Sequence, residues 1–300
     1  MFQKIVKVYK RSGLLGILLT SMSYEFKQAS KFFSNSAERI LTKIPISQND
    51  KKILNRNNIF KNKHKGHRCF IIGNGPSLKK QDLSLLSNEI TIVMSAFWKH
   101  PIVEKWQPTY YCFADPLFFD GSIAMEKFFL NLKQKIHSSK FLVPIYARNI
   151  IENQKLLPED QTYYAAFRGN LGGNLKYNID LTESIPGVQS VSQLAIMWSL
   201  YMGCSPIYLI GLDHDWLSHR GMDAHFYRGT TIDNYSKAEG DLSKIYYKDD
   251  LKAVLELWKG YETILRIAAN KNISIINATE GGFLDVFERR EYKSIFISSN

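Results

Sequence analysis

Three histidines, three aspartates, Tyr227 and Arg228 fall within the sixteen residues from Asp213 to Arg228, the first six being Asp213, His214, Asp215, His219, Asp223 and His225. A histidine, whose unperturbed pKa is about 6.5, can take a proton from a hydroxyl at neutral pH. Tyrosine and arginine donors can balance charge on a departing phosphate. The carboxylates at Asp213 and Asp215 can also hold a divalent cation, so a metal-assisted and a metal-free reading both stand. A polar loop over a sheet edge is the plainer alternative, and the density of reactive types argues against it.

Three other stretches carry chemistry. Cys69-Phe-Ile-Ile-Gly-Asn-Gly-Pro-Ser-Leu78 is an apolar run that stops at a tight turn. Gly73 and Gly75 let a ligand approach the main chain closely, and amide N–H groups in such a turn suit phosphate oxygens. Asn74 can hydrogen-bond a base, ribose or phosphate, and Ser77 can donate to a phosphate or cap the following segment. Asp115 follows another apolar run and either holds a sugar hydroxyl or organises an Asx-turn. At Gln189-Ser-Val-Ser-Gln193 one serine suffices to cap a helix, which leaves the other of Ser190 and Ser192 for a ligand.

Elements that position these residues are legible as apolar runs at Cys69–Ile72, Ile90–Met94, Tyr110–Ala114, Phe141–Ile145, Tyr163–Phe167, Ile207–Ile210 and Ile273–Ile276. Helical patterns separate several of them, most clearly Ser190–Met202 and Asp249–Lys271. Short, continuously apolar strands alternating with helices predict an α/β fold with a largely parallel sheet flanked by helices. Ligands in such sheets bind beyond the carboxyl ends of the strands, where the strand order switches. The turns at Gly73–Ser77, Asp115–Phe119 and Gly211–Asp215 are therefore expected to converge.

The net charge of +11 is confined to the amino-terminal part. Residues 1–68 carry 15 Lys+Arg and 3 Asp+Glu, whereas the rest carries 24 and 25. A nucleic-acid-reading surface would belong to the folded body, so no nucleic-acid partner is expected. Residues 1–46 read as a basic amphipathic helical arm. Its apolar run Gly13–Met22 is shorter than the roughly 20 residues a membrane span needs. An arm resting on an anionic membrane surface through residues 1–45 is expected; packing on the body or in a homo-oligomer is its alternative. Residues 47–67, rich in Lys and Asn, read as a polar linker, and residues 68–300 as the catalytic domain. Cys69, Cys112 and Cys204 have neither metal-ligand nor disulfide spacing, which suits a reducing compartment.

Taken together, Gly73-Asn-Gly-Pro-Ser-Leu78, the block Ser190–Gly203 with Pro206-Ile-Tyr-Leu-Ile-Gly-Leu-Asp213, and Asn277-Ala-Thr-Glu-Gly-Gly-Phe-Leu284 resemble a superfamily. It contains bacterial sialyltransferases using CMP-activated sugars, the central domain of motility accessory factors that glycosylate flagellin, and archaeal enzymes that pyrophosphorylate hydroxymethylpterin. The resemblance covers roughly residues 68 to 290. In the sialyltransferase branch it implies a nucleotide-binding α/β domain that needs no metal. It also implies nucleotide contact from Asn74, donor contact from Asp115, where that branch has Asn, and cytidine binding by Ser190 to Ser192. His214 and Trp216 occupy the strand end, and Tyr227 is nearest to that branch's phosphate-binding tyrosines. The branch's catalytic histidine precedes the last long helix, where this chain has Ile245-Tyr-Tyr-Lys248. His225 is the expected replacement.

The expected activity is glycosyl transfer from a nucleotide-sugar donor, a CMP-linked acidic sugar, to a glycan or lipid-linked acceptor at the inner face of the cytoplasmic membrane. His225 would deprotonate the acceptor, with Asp213, Tyr227 and Arg228 in the reaction centre and no metal or cofactor required. Gly73, Asn74, Gly75, Ser77, Asp115, Ser190, Ser192 and His214 would bind the nucleotide. An ATP-dependent pyrophosphokinase using Asp213 and Asp215 for Mg²⁺ is the first alternative. A non-catalytic assembly protein that retains the pocket is the second.

Overall fold

A computed structural model describes residues 25, 46–172, 178–219, 226 and 246–297 of the 300-residue chain. The chain divides into two compact units, Met1–Pro45 and Ile46–Asn300. The expected helical, membrane-binding arm lies outside the described residues, as do His225, Tyr227 and Arg228.

Nine described strands form one sheet in the order β6-β5-β4-β3-β2-β1-β7-β8-β9. They are β1 (Cys69–Ile72), β2 (Ile90–Met94), β3 (Tyr110–Cys112), β4 (Lys140–Pro144), β5 (Thr162–Asn170), β6 (Ser184–Gly187), β7 (Ile207–Ile210), β8 (Ile275–Asn277) and β9 (Glu288–Arg289). Every neighbouring pair is parallel. The α/β fold with a parallel sheet is thus as the apolar runs required. All four residues of β1 are buried because both sheet faces are covered. Phe70 and Ile72 enter one core, while Cys69 and Ile71 enter the other. All three cysteines are free and buried.

The described α-helices are α1 (Gln48–Leu54), α2 (Ile123–Lys135), α3 (Arg148–Asn153), α4 (Val191–Met202) and α5 (Tyr247–Ala269). From Ser192 to Met202 every residue of α4 is buried, so the helix is enclosed on all sides rather than along one stripe. Ser190 caps it, as its position before the apolar run demands. Helix α5 packs on α4, with Gln193 Nε2 donating to the Leu257 carbonyl at 3.0 Å.

Residues 47–67 are not a linker. Ser47 caps α1, and a 3₁₀ turn continues to Phe60. Leu54 and Phe60 are wholly buried. Buried Asn57 donates to the carbonyls of Tyr164 at 2.8 Å and Leu181 at 2.6 Å, which ties the segment to β5. From a mostly polar stretch the core takes Leu54 and Phe60, with Ile53 packed against it, while Ile59 stays exposed. Nor does an α-helix follow the Gly73–Ser77 turn: Pro76–Lys80 and Leu83–Leu86 form short 3₁₀ turns.

Candidate active site

Strand β1 has β2 on one side and β7 on the other, and the chain runs outward from β1 in opposite directions. The crevice beyond β1 and β7 is the switch point of the sheet. There the loops after β1, β2, β3 and β7, the approach to α4 and the first turns of α5 enclose a cavity of about 610 Å³. Its walls include Asn74, Ser95, Asp115, Ser190, Ser192, Asp213, His214 and Asp250. The convergence expected from the three turns is therefore present, and β2 and α5 add walls of their own.

Gly73 and Gly75 serve a purpose beyond the one their types suggested. A Cβ on Gly73 would lie 2.2 Å from the Gly211 carbonyl oxygen, and one on Gly75 would lie 1.6 Å from Asp213 Oδ2. The glycines let the β1 loop close on the β7 loop, and both also border the cavity. The Gly75 N–H donates to the Gly211 carbonyl at 2.9 Å. Asp213 completes the seam, with Oδ1 accepting from the Ser77 N–H at 3.1 Å and Oδ2 from the Ser77 hydroxyl at 2.8 Å. Burial holds the Asp213 carboxyl above the usual carboxylate range. The Ser77 hydrogen bonds oppose that shift, and the Asp215 charge adds to it. Ser77 neither caps a helix nor is left free for a phosphate.

Asn74 is buried, and its Nδ2 donates to the Met94 carbonyl at 3.1 Å. Its Oδ1 has no partner among the described residues, an arrangement that calls for a donor from a ligand. The Asn74 carbonyl accepts from the Phe226 N–H at 2.8 Å. Asp115 is exposed and accepts from the Leu117 N–H at 2.9 Å, which is the Asx-turn alternative, although it also borders the cavity. Tyr146 donates its hydroxyl to the neighbouring Ala114 carbonyl at 2.9 Å.

Neither serine of the α4 approach is spare in the way expected. Ser190 Oγ lies 2.7 Å from Ser192 Oγ, which lies 2.6 Å from the hydroxyl of buried Tyr261 on α5. That hydroxyl is in turn 2.6 Å from His214 Nε2. His214 adopts a left-handed backbone (φ 49°) that separates it from the Asp213–Ser77 seam. Burial pushes its pKa down to about 4, so it is neutral at ordinary pH, and burial raises the Tyr261 phenol well above its usual value. Tyr261 is the residue missed from sequence. It occupies an apolar position of an amphipathic helix, and only its hydroxyl would have marked it.

The loop after β8 braces the β7 loop from behind. Thr279 Oγ1 accepts from the Leu212 N–H at 3.2 Å, and the Asp213 carbonyl accepts from the Phe283 N–H at 2.7 Å. Among the described residues, no group of three or more His, Cys, Asp or Glu is arranged to hold a metal ion. No helix among them is long and apolar enough to cross a membrane.

Fold and site define an α/β protein with a cleft of mixed polar and apolar lining at the switch point of a parallel sheet. Residues 45–219, more than half of the chain, match the family described as 6-hydroxymethylpterin diphosphokinase MptE-like. The chain belongs to the MptE-like family, within the superfamily to which its motifs pointed. Among solved structures it is similar to the MAf glycosyltransferase from Magnetospirillum magneticum AMB-1, with 13% identity and a TM-score of 0.47, over 95% of this chain and 43% of that chain. It therefore spans less than half of that protein. It is also similar to the sialyltransferase CstII from Campylobacter jejuni in complex with a substrate analogue, CMP-3FNeuAc. That match has 14% identity and a TM-score of 0.45, over 74% of this chain and 85% of that one. No curated protein matches the sequence.

Proposed function

We propose that the cleft binds a nucleotide-activated sugar and that the protein is a glycosyltransferase, with a CMP-linked acidic sugar as the donor and a glycan or lipid-linked molecule as the acceptor. The observation that carries this reading is the unpartnered Asn74 Oδ1, buried at the switch point between loops that present backbone N–H groups and hydroxyls. An exocyclic amine or ribose hydroxyl of a nucleoside supplies the missing donor. The N-terminus of α4 favours the phosphate at the opposite wall. Asp213 holds the β1 and β7 loops together, and His225 acts as base on the acceptor hydroxyl. His225 is next in sequence to Phe226, whose N–H is bonded to Asn74. Tyr227 and Arg228 balance charge on the leaving phosphate, and the reaction needs no metal. Residues 1–45 hold the enzyme on the anionic inner face of the cytoplasmic membrane, beside its acceptor.

A second reading follows from the family's description: diphosphoryl transfer from ATP, with Mg²⁺ near Asp213 and Asp215. The charge of Asp215 acts on Asp213, and a cation between such groups would relieve their repulsion. Thermal-shift titration with CMP, UDP and ATP, each with and without Mg²⁺, separates the readings. Stabilisation by CMP without metal supports glycosyl transfer. Stabilisation by ATP that depends on Mg²⁺ replaces it with the kinase, and no response to any nucleotide removes both.

A further inference from the structure

Behind the cleft surface, an unbroken file of polar groups joins one wall to the other. It runs from Ser190 Oγ to Ser192 Oγ (2.7 Å), to the Tyr261 hydroxyl (2.6 Å), to His214 Nε2 (2.6 Å). Ser190 stands at the N-cap of α4, His214 on the loop after β7, and both border the cavity. Tyr261 is fully buried between them. The hydrogen bond of the His214 ring among the described residues is the one at Nε2.

Each serine, the tyrosine and a neutral imidazole contribute one hydrogen apiece. Burial keeps the imidazole neutral, with a pKa of about 4. Such a file has two self-consistent polarities. In the first, Ser190 donates to Ser192, Ser192 to Tyr261 and Tyr261 to Nε2. His214 then carries its hydrogen on Nδ1, and Ser190 shows the cleft only lone pairs. In the second, every bond is reversed. Nε2 donates to Tyr261, Tyr261 to Ser192 and Ser192 to Ser190. The Ser190 hydrogen then faces the cleft, and His214 Nδ1 offers a lone pair.

We infer that Tyr261 is a positioning residue that couples the two walls: a phosphate oxygen accepting from Ser190 selects the second polarity, and His214 Nδ1 then accepts from a hydroxyl of the second substrate. This rests on the nucleotide reading proposed above. The N–H groups at the start of α4 favour an anionic oxygen at the Ser190 end, which biases the file in that direction. The coupling is reciprocal, so a hydroxyl donor at His214 also tightens nucleotide binding.

The test is ¹⁵N NMR of histidine-labelled full-length protein, with His214 assigned by loss of its signals in His214→Gln, titrated with CMP, UDP or ATP. Backbone amide shifts near Gly73 and Ser192 report nucleotide binding independently. The expected result is a rise in the Nε2–H tautomer of His214 on nucleotide addition. Tyr261→Phe, which keeps the ring against Phe287 and Trp258, should abolish that rise while nucleotide still binds. Ser190→Ala breaks the file at the cleft surface and removes its phosphate contact, so it should bind nucleotide more weakly and, once saturated with nucleotide, show no rise. Nucleotide binding with an unchanged tautomer ratio, or an unchanged rise in both variants, overturns the coupling alone. No binding of any nucleotide overturns the coupling and the proposed function together.

Discussion

The Asp213 carboxylate grips Ser77 with both oxygens, one on the backbone N–H at 3.1 Å and one on the hydroxyl at 2.8 Å. These residues come from loops after different strands, so this contact fixes the width of the cleft. Ser77→Ala removes one donor from a buried carboxylate and should destabilise the protein by about 1–3 kcal/mol. Urea unfolding of the variant checks this.

Gly75→Ala should be worse than a loop glycine substitution usually is. The added Cβ would stand 1.6 Å from Asp213 Oδ2, and relief requires parting the seam. A loss of about 1–3 kcal/mol, typical of overpacking, is expected together with loss of nucleotide binding. Denaturation and calorimetric titration of the same sample test both effects.

How far the sequence could be read depends on where each residue's physical role is expressed. Strands β1, β2 and β7 were legible to the residue because burial on both faces leaves them almost continuously apolar, Thr91 being the exception. Strand β6 was not, since Ser184-Ile-Pro-Gly187 carries no strand pattern, and β9 is two exposed residues. Asn74, Ser192 and Asp213 do share one cleft, as their places at element ends implied. Their partners could not be foreseen. The bond from Ser192 to Tyr261 and the contact of Gly75 with Asp213 are distances between segments remote in sequence. Asp115 was a carboxylate after a strand in either reading, and only its hydrogen bond from the Leu117 N–H identified the turn.

Asn74→Ala should weaken nucleotide binding about tenfold or more, equivalent to roughly 1.4 kcal/mol, because the unpartnered Oδ1 is lost. Isothermal titration measures it. An unchanged Kd would remove Asn74 from the binding site.

The pH dependence has a definite sign. His214 titrates near 4 in the folded protein and near 6.5 when unfolded, so between those values the unfolded chain binds the extra proton. Stability is therefore lost as pH falls through this window, by no more than about 1.4 kcal/mol per pH unit from this group. His214→Gln should flatten the curve relative to the parent protein. Chemical denaturation at a series of pH values from 7 to about 4.5 reads the difference.

Phe60→Ala should destabilise the body by about 3–5 kcal/mol, the cost of emptying a buried aromatic site. A loose connection would tolerate the change. Thermal unfolding of the variant distinguishes the two, and His225→Ala, assayed for transfer with nucleotide binding retained, tests the proposed base separately.

The pairing of β1 with β7 has a consequence for how the polypeptide is made. Cys69–Ile72 leaves the ribosome well before Ile207–Ile210, so one flank of a wholly apolar strand stays open while the intervening chain is synthesised. An open flank of that kind recruits other chains. Products terminated ahead of Ile207 should therefore precipitate rather than persist as half-sheets, and the arrival of β7 makes the nascent protein safe and its ligand crevice whole in one event.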